Sequence, residues 1–136
     1  MTFASVDLLE EIRAALDTLE ARLVGRTVDI EMSRVRVLTD PMLFRQVFAE
    51  CMTSALARSE PSDSLTVRVA RTGQVVRIEV INEGGQTAGV DLPDLGAVGE
   101  EFRAMGGEIS ASGSSGNVVW WMTLPLAPGA SSTPDA

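Results

Sequence analysis

The segment Asp40–Ala55 constrains the fold more than any other part of this sequence. Asp40 can accept hydrogen bonds from the first N–H groups of a helix, and Pro41 suits the first turn, where its missing donor costs nothing. Apolar side chains then recur at three- and four-residue steps, as on one face of a helix: Phe44, Val47, Phe48, Cys51, Met52 and Ala55. The pattern predicts an amphipathic helix over residues 41–58 that packs one face against a core.

Two polar residues lie at the edge of that apolar face. Glu50 and Ser54 are four positions apart, so they share one side of the predicted helix. A carboxylate and a hydroxyl beside an apolar stripe form a candidate functional site.

Size and composition indicate one folded domain. The chain has 136 residues, of which 45% are hydrophobic, which is enough for a core. We expect the domain to occupy residues 1–126 and a disordered tail of small and polar residues to occupy 127–136. No apolar run reaches the roughly 18–20 residues of a membrane span, and the N-terminus lacks the pattern of a secretion signal. We therefore expect a cytoplasmic location with no membrane partner.

The charged and reactive side chains exclude several functions. The net charge is −8, and nucleic-acid binding requires a basic surface, so no nucleic-acid partner is expected. The chain has no His, and all 11 of its basic residues are Arg, so Ser-His-Asp hydrolysis, His-based metal sites and Schiff-base chemistry are excluded. Cys51 is the single cysteine, and its place on the apolar face predicts a buried, inert thiol.

Helical and alternating patterns follow one another in a regular order. Helices are predicted over 6–25, 41–58 and 94–105, and strands over 27–32, 35–38, 65–71, 74–82, 108–112 and 117–124. The predicted class is α+β, a two-layer α/β sandwich with about three helices on one face of a mixed, mostly antiparallel sheet.

Several segments in this order resemble one known family. They are Asp40–Ala55, Val76–Gly84, Met105–Ser110 and the last strand, which ends in Leu124-Pro125-Leu126. Together they resemble the GHKL (Bergerat-type) ATPases, and in particular the catalytic, ATP-binding domain of histidine kinases. The resemblance extends from about Val6 to Leu126.

The resemblance implies a nucleotide site that this sequence has altered. In that family an asparagine at the position of Ser54 binds Mg²⁺, an Asn or a Glu stands at the position of Glu50, and an aspartate at the position of Asn82 binds adenine. Gly84 begins the phosphate-binding segment, but a further glycine is replaced by Gln86. Only residues 85–94 remain for the lid that the family places before the third helix.

Each of these residues also has an ordinary structural interpretation. Ser54 can hydrogen-bond to its own helix, Glu50 can be a solvated surface residue, and Asn82 can cap the end of a strand. The implied cofactor is Mg-ATP if the pocket remains competent, and none if it does not. Glu50 would be the catalytic group, and Ser54, Asn82 and Gly84 would be remnants of the nucleotide pocket. No metal-binding residue is assigned.

The last predicted strand suggests a surface for a partner protein. Val118, Trp120, Met122 and Leu124 can face the helices, which places Val119 and Trp121 on the open face of the sheet. The alternative is that another segment of the chain covers that face.

Three functional hypotheses follow from the resemblance. The first is a degenerate histidine-kinase-like domain, a pseudokinase that binds a response regulator, a histidine kinase or a phosphotransferase in bacterial two-component signalling and phosphorelay. The second is an active ATP-binding domain that phosphorylates a His on a separate chain or on an upstream domain. The third is a regulator similar to anti-sigma-factor kinases. A homodimer is a further alternative for the assembly.

Overall fold

The computed structural model describes residues 3–59, 64–83, 95–114 and 117–127, and these form two layers. The elements are β1 (Ala4–Asp7), α1 (Leu8–Thr18), α2 (Glu20–Leu23), β2 (Val28–Glu31), β3 (Arg36–Thr39), α3 (Pro41–Arg58), β4 (Ser64–Thr72), β5 (Val75–Glu83), α4 (Ala97–Ala104), β6 (Glu108–Ser114) and β7 (Asn117–Pro125). The predicted two-layer α/β sandwich is confirmed.

The main sheet is mixed and mostly antiparallel, as predicted. Its five strands have the order β2-β4-β5-β7-β6, and only the β2–β4 pair is parallel. Alternate residues along the central strands point to opposite faces. On β7, Val118, Trp120 and Met122 are fully buried beneath the helices, whereas Val119 and Trp121 are half-buried on the other face.

The N-terminal region differs from the single helix predicted over 6–25. Residues up to Asp7 form β1, and the Asp7 carboxylate then accepts hydrogen bonds from the N–H groups of Leu9 (3.0 Å) and Glu10 (3.4 Å), so α1 begins at Leu8. Leu19 donates its N–H to the carbonyl of Leu16, which tightens the last turn and separates α1 from the one-turn helix α2. The described residues therefore contain four helices, where about three were expected.

Strand β3 lies outside the main sheet. It pairs with β1 in a separate two-stranded sheet, and Val37 also bridges to Leu126. The N–H of Ala127 donates to the carbonyl of Arg36, and Ala127 is buried, so ordered contacts continue past residue 126. The remainder of the expected tail, residues 128–136, lies outside the described residues.

Helix α4 begins later than residue 94, where the sequence pattern placed its start. Gly96 has a φ of 54°, in the left-handed region that favours glycine, and the helix begins after it at Ala97. Asp94 itself lies outside the described residues. The short α4 packs against α3, and the segment around Leu95 approaches the same helix.

Candidate functional site

Helix α3 carries two of the proposed site residues, and its sequence fixes their position. The Asp40 carboxylate accepts hydrogen bonds from the N–H groups of Met42 (3.0 Å) and Leu43 (3.1 Å), which confirms the predicted cap. The rings of Phe44 and Phe48 stack with centroids 5.7 Å apart within the fully buried face. Because these anchors set the rotation of the helix, the side chain of Glu50 points away from the core.

A cleft runs between α3 and the start of α4. Its volume is about 240 Å³, and its walls are formed by Gln46, Ala49 and Glu50 from α3 and by Leu95 and Val98 from the α4 region. The three α3 residues recur at three- and four-residue spacing, so they form one strip of the helix surface. The described walls of the cleft combine one carboxylate and one amide with three apolar side chains.

The structure brings only one of the proposed site residues into the described walls of this cleft. Glu50 is exposed there, whereas Ser54 is half-buried one turn farther along α3 and does not line the cleft. Asn82 is at the end of β5 and also does not line it. Gly84 lies outside the described residues.

The side chain of Asn82 is the most unusual polar group in the described fold. It is fully buried and points to the helix side of the sheet, like Val80 and Ile78 on the same strand. Among the described residues, neither its Nδ2 nor its Oδ1 atom has a hydrogen-bond partner. A buried amide normally has partners because leaving it unpaired costs free energy, so Asn82 is a destabilising polar group within the described fold.

Sequence reasoning did not single out Gln46, Leu95 or Val98 as cleft residues. Gln46 precedes Glu50 by four positions, and that spacing was the one signal that could have revealed it. No local pattern marks Leu95 or Val98, because their place in the cleft depends on how α4 packs against α3.

The proposed partner surface is on the open face of the sheet. Strands β5 and β7 are neighbours, with Val119 opposite Ile81 and Trp121 opposite Glu79. The guanidinium carbon of Arg77 lies 4.2 Å from the centre of a Trp121 ring. Arg77 Nε also donates to a Glu79 carboxylate oxygen at 3.3 Å, so this charge pair holds the arginine over the tryptophan.

Comparison with known proteins shows which solved structures share the fold of this chain. No family model matches the chain. The sensor histidine kinase CusS of Escherichia coli O157:H7 is 26% identical over 92 residues, which cover 66% of this chain and 19% of that protein. The catalytic domain of histidine kinase ThkA superposes with a TM-score of 0.79 at 19% identity, covering 94% of this chain and 98% of that one.

The chain has the fold of a histidine-kinase catalytic domain. The histidine kinase AdeS of Acinetobacter baumannii agrees, with a TM-score of 0.78 at 17% identity over 93% of this chain and 68% of that one. ThkA in complex with the response regulator protein TrrA gives a TM-score of 0.75 at 19% identity, over 93% of this chain and 42% of that one. The likeness to the histidine-kinase domain of the GHKL ATPases is thereby confirmed for the fold.

Two further findings concern membrane-spanning helices and the share of a relative that this histidine-kinase fold covers. None of the helices in the described ranges is both long and apolar enough to cross a bilayer. The matched part of the chain spans about a fifth of the length of CusS, so the fold corresponds to one part of that relative.

Burial suppresses the reactivity of Cys51, which lies one position after Glu50. Desolvation raises the pKa of the thiol to about 12 from an ordinary 9.0, and the nearby charge of Glu50 acts in the same direction. We expect native protein at about pH 8 to resist a thiol reagent that labels it rapidly in urea. Equal labelling rates in the two states would contradict this.

The same shift predicts a dependence of stability on alkaline pH. A pKa that is higher in the folded state contributes stability that is present below the unfolded value of 9.0 and is lost as the pH rises toward about 12. The unfolding free energy should therefore fall more steeply above pH 9.0 in the native sequence than in Cys51→Ala. Urea titrations at several alkaline pH values would measure the two slopes.

Proposed function

We propose that this chain acts in two-component signalling, in the cytoplasm, as a histidine-kinase-fold module that binds another signalling protein and whose nucleotide pocket has become weak. One observation carries the proposal. Of the three described residues to which the resemblance assigns nucleotide roles, only Glu50 is among the described residues that line the cleft between α3 and α4, and Ser54 and Asn82 are not. A pocket that binds a nucleotide tightly would gather these groups around one volume.

The composition and size of the cleft support a weak pocket. Mg²⁺ prefers several hard oxygen ligands in near-octahedral geometry, and a Ser54 hydroxyl reaches less far than an asparagine amide would. Three of the five described wall residues are apolar, and the volume of about 240 Å³ is below the roughly 300–1,000 Å³ of most ligand pockets. These features favour docking of a protein over phosphoryl transfer.

The proposed partners are a response regulator, a histidine kinase or a histidine phosphotransferase. The solved complex of ThkA with TrrA supports this class, because a protein of the same fold there meets a response regulator. The sequence contains no His, so any phosphoacceptor histidine would lie outside this sequence. A regulator of the anti-sigma-factor type would use the same scaffold but would bind a transcription protein.

A second function is favoured by Asn82. Its buried amide offers a donor and an acceptor without a described partner, which fits the edge of a nucleobase. In that case Asn82 would hold the base of ATP, and Glu50 would be the cleft carboxylate able to orient water or accept a proton. The bound Mg-ATP would supply the transferable phosphoryl group, and the acceptor histidine would come from outside this sequence.

Nucleotide titration of restored variants separates the two functions. We expect the native sequence to bind Mg-ATP more weakly than about 1 mM, and the double variant Ser54→Asn/Asn82→Asp to bind at least about tenfold more tightly. The reason is that this pair restores the amide ligand and the carboxylate that the family places at those positions. Isothermal titration calorimetry with Mg-ATP and Mg-ADP measures both affinities.

Ala57→Asn is the matched control, because residue 57 is exposed on the same helix and away from the cleft. It should leave the affinity unchanged. If the native sequence binds Mg-ATP at micromolar concentration and Asn82→Ala abolishes binding, the weak-pocket proposal is wrong and the second function is supported.

A further inference from the structure

The open face of the main sheet carries an apolar centre that no described helix covers. It consists of Ile81, Val119 and Trp121, which we call the Trp121 patch. Ile81 and Val119 are cross-strand partners, and Trp121 follows two residues later on the same face. Ile81 is only 7% exposed, whereas Val119 and Trp121 are half-buried. The residues that precede them on β7, Val118 and Trp120, point to the helix face and are fully buried.

The charges around the Trp121 patch are partly neutralised within the sheet. Arg77 pairs with Glu79 and lies over the Trp121 ring. Arg68 pairs with Glu31 at 3.0 Å, on the strands nearer the β2 edge. Both arginines on this part of the face therefore already have carboxylate partners, so they do not provide a site for an acidic ligand.

Two carboxylates remain at opposite edges of the same face. Asp29 lies on edge strand β2 and Glu108 on edge strand β6, and both are exposed. Neither has an ion-pair partner among the described residues. The middle of the face thus holds the Trp121 patch beside the Arg77–Glu79 pair, and each edge carries a carboxylate that has no ion-pair partner among the described residues.

The spacing of these charges indicates the size of a matching partner. The strand order places β2 and β6 four inter-strand spacings apart, about 19 Å, and the register offsets Asp29 from Glu108 by roughly 13 Å along the strands. The diagonal of about 23 Å crosses β5 at Glu79 and β7 between Trp121 and Thr123, so it runs along the Trp121 side of the patch. An α-helix covers that distance with about 15 residues.

We propose that the Trp121 patch is a docking site for an amphipathic helix of a partner protein, with apolar residues facing Trp121 and basic residues toward each end. The inference rests on the proposed function of this chain as a protein-binding module. A helix on the open face would give the sheet a helical layer on both sides, which is a stable architecture. Basic end residues would complement Asp29 and Glu108.

Charge also favours a basic partner helix over a second copy of this chain. A second copy would bring the same excess of carboxylates against Asp29 and Glu108, and the sequence as a whole has a net charge of −8. Like charges that face each other across an interface oppose association. A homodimer through this face is therefore an outcome that the test must detect.

The probes are two synthetic helical peptides of about 18 residues with the same leucine face, one with lysines near both ends and one with glutamates there. We expect the lysine peptide to bind with a Kd in the range of tens of micromolar by fluorescence anisotropy, and the glutamate peptide to bind at least about tenfold more weakly. Trp121→Thr should weaken binding of the lysine peptide about tenfold. Asp29→Asn/Glu108→Gln should weaken it severalfold and reduce its dependence on salt.

Met42→Gln is the control, because Met42 is an apolar residue with 75% exposure at the start of α3, away from the sheet face. The Met42→Gln variant should bind the lysine peptide as tightly as the native sequence does. Circular dichroism of each variant verifies folding. The proposal is overturned if the lysine peptide binds Trp121→Thr as tightly as the native sequence, or if both peptides bind equally. It is also overturned if sedimentation shows a dimer that Trp121→Thr dissociates.

A negative result with the peptides does not change the interpretation of the Mg-ATP titration. A negative result in the titration likewise does not change the interpretation of the peptide test. The titration with Mg-ATP concerns the cleft and Asn82 on the helix side of the sheet, whereas the peptides probe the opposite side. Tight nucleotide binding together with peptide binding would mean that the pocket proposal alone is wrong.

Discussion

Replacement of Trp120 with alanine is expected to lower the free energy of unfolding by about 3–5 kcal/mol. Trp120 is the largest fully buried side chain, and it lies beneath the helices on β7, an interior strand of the sheet. Its removal would leave a cavity that the surrounding strands and helices can only partly fill. Since small domains have roughly 5–15 kcal/mol of total stability, this loss removes a large fraction of it.

The adjacent residue provides a matched control within the same dipeptide. Trp121→Ala removes the same side chain from the opposite face of the same strand, where it is half-buried and contacts Arg77. The cost should be below about 1.5 kcal/mol, because the loss is limited to partial burial and one cation–π contact. Urea denaturation followed by circular dichroism measures both variants, and equal losses would show that the assigned faces of β7 are wrong.

Replacement of Asn82 with leucine is expected to raise the free energy of unfolding by about 1–2 kcal/mol in the absence of any ligand. Both polar atoms of Asn82 are buried without a described partner, and leucine has a similar shape with no polar group to desolvate. Because the same change removes the only donor and acceptor that Asn82 offers, stability would increase while any affinity for a nucleobase would decrease.

Thr39→Val is the control for this effect. Thr39 is also fully buried, but its hydroxyl donates to the sulfur of Met105 at 3.7 Å, so its loss should be neutral or slightly destabilising. Thermal denaturation of the two variants compares an unpaired buried polar group with a paired one. A clear loss of stability in Asn82→Leu would show that the amide has a partner and is not held for a ligand.

The parts of the fold with strong local signals could be predicted from the sequence. Helix α3 runs from Pro41 to Arg58 as expected, because the Asp40 cap and the apolar spacing agree. Strict alternation also predicted the burial of Trp120 and the orientation of Asn82 on β5. In each of these cases, residues close together in the sequence are sufficient to specify the local structure.

Features that depend on distant contacts were missed. Strand β1 has only four residues and forms by pairing with β3, which lies about 30 positions later, so no local pattern reveals it. The cleft was missed for a similar reason, since Leu95 and Val98 join Glu50 only when α4 packs on α3. The sequence identified Glu50 as a candidate but did not show that Ser54 lies outside the cleft walls.

The position of β3 brings the two ends of the described fold close enough for circular permutation. One edge of this four-residue strand pairs with the first described strand, with Thr39 opposite Ala4. On its other edge Val37 bridges to Leu126, and the carbonyl of Arg36 accepts a hydrogen bond from the N–H of Ala127. Ala4 lies opposite Thr39 and Ala127 lies opposite Arg36, so the two ends of the described fold are two strand spacings and about three residues along the strand apart, roughly 14 Å. A circular permutant would join these ends with a short glycine linker and have new termini at the Gly73 turn. We expect it to keep every strand pair, because the contacts of β3 with both ends hold the fold together wherever the backbone is cut.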